Sequence, residues 1–125
     1  MAEDITNLRL SRLATHVATE MKESGLFDDA LTAAKFGMAY AVKFYLDDVN
    51  SSDKIAQLDA AYDATGNNYN VGSVDPDHYI ANCIMALYPQ CKTPYRYARV
   101  LMCYGLNKLG DFLDEGKLFP ISQYM

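Results

Sequence analysis

The chain has 125 residues, a length that suits one domain with a single core. Half of its residues are hydrophobic and 22% are charged, a globular balance that excludes a disordered chain. A net charge of −5 excludes nucleic-acid binding by the surface as a whole, because phosphates need a concentrated basic face, but leaves room for a local basic patch.

Within residues 4–24, Leu10, Leu13, Ala14, Val17, Ala18 and Met21 recur at helical spacing and predict one amphipathic helix. Gly25 suits the position just beyond its end. Asp4, Thr6 and Ser11 are each competent N-caps; with Ser11 as the cap, residues 5–10 become an extended arm, and the sequence leaves both options open.

Residues 28–46, DDALTAAKFGMAYAVKFYL, are apolar nearly all round, so this helix is expected to be covered on most sides. Asp28 or Asp29 can cap it. Ala33, Gly37 and Ala41 form a face of small residues that admits another backbone, best supplied by the same chain. Phe36, Met38, Tyr40, Phe44 and Tyr45 are bulky filling. Lys35 and Lys43 argue against a membrane span, since charge inside hydrocarbon is costly.

A shorter helix is predicted over 53–64, capped by Ser52, with Ile55, Leu58, Ala61 and Tyr62 inward. Residues 65–74, TGNNYNVGSV, read as a loop and as the best candidate for a mobile segment. Asp75 as N-cap and Pro76 at the first helical position open the next helix, with Tyr79, Ile80, Cys83, Ile84 and Leu87 inward and Pro89 as the stop. Thr93 and Pro94 repeat the device for a long helix over 94–115. Its apolar face includes Tyr97, Ala98, Leu101, Met102, Gly105, Leu109, Phe112 and Leu113. Gly116 ends it, and the tail 117–125 carries enough apolar residues to dock.

No segment alternates apolar and polar residues over strand length, and no repeat or composition shift marks a second domain. The expected architecture is all-α: a single-domain bundle over 1–125 of about five helices around a central apolar helix at 28–46.

Three groups of residues invite a chemical reading. Lys92, Arg96 and Arg99, interleaved with Tyr95 and Tyr97, lie at a helix start, and Arg9, Arg12 and His16 make a second basic stripe. Where the stripes meet, Arg9, Arg12, Lys92, Arg96 and Arg99 would form an anion or nucleic-acid patch; ordinary solvated faces and ion pairing are the plainer alternative. Cys91, beside Lys92 in a proline-bounded loop, reads as the most exposed thiol and a possible reactive group. Asp75, Asp77 and His78 match no established metal-ligand spacing, and two of them already serve a helix start.

No phosphate-binding glycine loop, dinucleotide fingerprint, zinc-protease or hydrolase motif is present. No metal, cofactor or catalytic residue is assigned. Three cysteines cannot close a complete disulfide framework, and the N-terminus carries no secretory signal, so a reduced cytoplasmic setting is expected. Ten tyrosines and no tryptophan suit half-buried positions and interfaces. The leading expectation is a non-enzymatic helical interaction or assembly module, self-associating and not bound to membrane. An accessory protein of nucleic acids is the first alternative, and a small enzyme centred on His78 or Cys91 the second.

Overall fold

The computed structural model describes residues 4–25 and 27–114, with side chains to residue 111. In chain order the elements are β1 (Asn7–Arg9), α1 (Arg12–Glu23), α2 (Ala30–Tyr45), α3 (Ser52–Ala61), β2 (Asn68–Asn70), α4 (Val71–Val74), α5 (Tyr79–Leu87) and α6 (Pro94–Asp114). A single 3₁₀ turn, Leu46–Asp48, follows α2. The fold is all-α with one small two-stranded sheet. The expected docking of the tail 117–125, the packing of Phe112 and Leu113, and the stop at Gly116 lie outside the described residues and side chains.

Ser11 is the cap of α1: it is extended and its hydroxyl accepts the N–H of Ala14 at 3.1 Å. Residues 5–10 are therefore the arm, and Leu8 and Leu10 on it are fully buried. Because the helix starts at Arg12, Arg9 belongs to a strand, and the basic stripe expected on one helix does not form. Leu13 also falls on the exposed side. Gly25, at φ +86°, takes the left-handed position that closes α1.

Asp29 caps α2 by accepting the Thr32 N–H at 2.7 Å. Its small-residue face packs on α6 of the same chain. A Cβ added at Gly105 would lie 1.7 Å from the Gly37 carbonyl oxygen, so the two backbones touch where both residues are glycine. The centre of the bundle is this α2–α6 pair; α6 also packs on α1, α3, α5 and β1, and Ala98 through Cys103 are buried on every side of it. The opposite side of α2 stays open at Lys35, Ala39, Lys43 and Phe44, so the helix is covered less completely than its composition predicts.

Ser51, one residue earlier than predicted, caps α3, which ends at Ala61. The segment 65–74 is tied down rather than loose. Asn7, Leu8 and Arg9 pair antiparallel with Asn70, Tyr69 and Asn68, the Leu10 N–H reaches the Asn67 carbonyl at 2.9 Å, and Gly66 lies directly against the start of α1. Three-residue strands are too short to leave an alternation in the sequence.

The start of α5 differs from the prediction. Pro76 is not in the helix, and His78, at φ 62°, is the residue before it. Asp75 still satisfies the helix start, but from further back: its two oxygens accept the N–H groups of Ile80 at 3.0 Å and Ala81 at 3.1 Å. The start of α6 is closed by a distant residue: the Asp4 carboxylate accepts the N–H groups of Tyr95 at 2.9 Å and Arg96 at 3.0 Å.

Candidate functional site

Three of the five basic residues singled out from the sequence do converge. Arg9, Arg96 and Arg99 line a cavity of about 280 Å³ together with Asp59 and Tyr62. Arg12 and Lys92 are exposed and stand outside its lining. The guanidinium groups are not equivalent. Arg99 is only 6% exposed, and it donates to the Arg9 carbonyl at 2.7 Å, to Asp59 at 3.0 Å and to the Tyr62 carbonyl at 3.1 Å, with a further bond to the Asp63 carbonyl. Its role is to tie β1, α3 and the chain after α3 onto α6. Arg96 is half-exposed and pairs with the other Asp59 oxygen at 3.5 Å. The cavity thus carries three guanidinium groups and one carboxylate, a net positive lining on an acidic protein. The anion-attracting N-terminus of α6 beside it is already filled by Asp4.

A second surface lies between α2 and α5. Only part of the apolar stripe predicted to face inward on α5 does so: Ile80 and Ile84 are buried, whereas Tyr79 is 73% exposed, Leu87 is 43% exposed and Cys83 is exposed. The stripe is wider than the surface available to cover it. Its uncovered half borders a groove of about 440 Å³ whose apolar lining includes Met38, Val42, Ile84 and Leu101, with Cys83 and Leu87 on one wall and Lys43 on the other. The nine residues of α5 contain no charged side chain.

Cys91 is 8% exposed, not the open thiol expected; proline-bounded as it is, its loop folds against the core, and burial raises the thiol above its usual value. Cys103 is fully buried and raised for the same reason. The exposed thiol is Cys83. Asp75 is buried and held below the usual carboxylate range. Burial pushes it up, but the N–H groups of Ile80 and Ala81 and the Tyr95 hydroxyl, at 2.9 Å, outweigh that. Burial, together with the same contact, pushes Tyr95 up to about 12. His78 is exposed, and among the described residues no group of three or more His, Cys, Asp or Glu is arranged to hold a metal ion. No described helix is long and apolar enough to cross a membrane.

These features define a class: a small all-α bundle with an arginine-lined cavity at one place and an uncharged, partly apolar helix face at another. Set against known proteins, the chain matches no family model, no curated protein and no solved structure, so a functional reading rests on its own geometry.

Proposed function

We propose that the chain is a non-enzymatic helical interaction module that works by self-association in a reducing, cytoplasmic setting. The carrying observation is α5, a helix without charge whose Tyr79, Cys83 and Leu87 stand open beside an apolar groove. Exposed apolar surface of this kind, on a chain otherwise rich in acidic groups, is stabilised when a protein face covers it. Three free thiols support the reducing setting.

A second reading, anion or nucleic-acid binding, is favoured by the convergence of Arg9, Arg96 and Arg99 on one cavity. It is the weaker one, because Asp59 and three backbone carbonyls already engage Arg99. One sedimentation experiment addresses both. Alone, the chain is expected to self-associate at micromolar concentration, and a single monomeric species throughout would sink the first reading. With a fluorescent oligonucleotide at low salt, co-sedimentation that Arg96→Ala weakens would support the second, and its absence would remove it.

A further inference from the structure

We propose that the groove between α2 and α5 takes α5 of a second copy of this chain, packed antiparallel across a two-fold axis at Cys83. This deepens the self-association reading and rests on it. The assignment follows from the order of residues along α5. Cys83 is the middle residue of this nine-residue helix and is exposed. Tyr79 lies one turn before it and Leu87 one turn after, both exposed. A two-fold axis through Cys83 sets each Tyr79 against the second copy's Leu87, so one large apolar pair repeats at both ends of the seam.

Charge points the same way. Lys35 on α2 lines a cavity with Tyr79, and Lys43, further along the same helix, lines the groove with Leu87, which puts Lys43 towards the Leu87 end. At the Tyr79 end the cavity next to α5 is lined by Asp75, Asp77 and Lys35. Asp75 is committed to the N–H groups of Ile80 and Ala81 and to Tyr95, which leaves Asp77 as the surface carboxylate there. Within one chain the two ends of α5 are about 12 Å apart. Antiparallel pairing brings each Lys43 to the second copy's Tyr79 end, where Asp75, Asp77 and Lys35 leave a net negative charge; parallel pairing would set Lys43 against Lys43. The α5 face itself contributes no charge, so it adds no repulsion of its own between two acidic chains.

Sedimentation of the full chain, together with a short bis-maleimide that links two nearby thiols, tests the assignment. The expected species has twice the 14.0 kDa mass of the chain, and the reagent links it through Cys83. Cys83→Ser abolishes the link and keeps the dimer. Leu87→Glu, at an exposed position, weakens association about tenfold or more. Lys43→Glu and Asp77→Lys each weaken it, and the double exchange restores it. That rescue is specific to a contact between chains, because within one chain Lys43 lines the groove with Leu87 and Asp77 lines the cavity with Tyr79, at opposite ends of α5. A monomer at every concentration overturns both this assignment and the self-association reading. A dimer that gives no Cys83 link and is indifferent to Leu87→Glu and to the charge exchange overturns the assignment alone and moves the interface elsewhere.

Discussion

Arg99 and Asp75 are, among the described residues, the two charged side chains drawn furthest into the bundle, and each is held by backbone groups more than by an opposite charge. Arg99 was legible in the sequence as a basic residue among tyrosines. Its burial was not, because the carbonyls that engage it come from Arg9, Tyr62 and Asp63, far away along the chain. Asp75 was legible as a cap, but the local motif placed the N–H groups that donate to it about three residues too early. Its energetics give a prediction. Asp75→Ala leaves the Ile80 and Ala81 N–H groups and the Tyr95 hydroxyl without their acceptor, at a cost of about 2 kcal/mol or more at pH 7. Because the folded carboxyl lies below its usual value, its stabilising contribution is present above about pH 4 and is lost as pH falls through the lowered value. Urea unfolding of both chains should therefore show a gap that is full at pH 7 and narrows in acid. An unchanged gap at pH 2 would mean that the charge contributes nothing.

At the scale of elements, the features that the sequence carried were those written in local code: Ser11 and Asp29 among the candidate caps, Gly25 as a helix end, and Pro94 at the start of α6. The β1–β2 pairing was not legible, since three-residue strands have no room for a period of two. The uncovered half of α5 was not legible either, because its residues match a buried stripe and only the neighbouring elements decide how much of it is covered. The α2–α6 crossing lies between these cases: the small face on α2 was visible, while its partner Gly105 needed the tertiary structure. The two glycines should respond unequally to a methyl group. At Gly105 the new Cβ meets the Gly37 backbone at 1.7 Å, which cannot move without separating the helices. At Gly37 the nearest atom is Leu106 Cγ at 2.9 Å, a side chain that can yield in part, although the Leu106 nitrogen lies close behind it at 3.2 Å. Gly105→Ala should cost about 3 kcal/mol or more. Gly37→Ala should cost clearly less, since alanine recovers about 1 kcal/mol of helix propensity. Urea midpoints measure both, and the reverse order would contradict the backbone contact.

Taken whole, the described residues share one core to which every helix contributes, the short α4 through Val74, with α2 and α6 at its centre. A core of this kind opens as a unit, and two buried thiols report that opening. Cys103 faces the start of α1, where its sulfur accepts the Ser11 N–H at 3.4 Å, so exposing it requires α1 and the arm to leave α6. Cys91 lies in the connection between α5 and α6, held from above by the Tyr88 carbonyl accepting its N–H at 2.8 Å. In the Cys83→Ser chain only these two thiols remain. A maleimide should modify Cys103 at least about a thousandfold more slowly than a free thiol, because the reaction waits for global unfolding. Its rate should rise with urea at the slope of the equilibrium transition. Cys91 should react sooner, through the smaller opening that frees the connection alone. Both sites start from raised thiols, which slows them further at neutral pH and in the same direction. A Cys103 rate independent of urea would mean that α1 and the arm detach on their own, and the bundle would then be two cooperative units joined at α6.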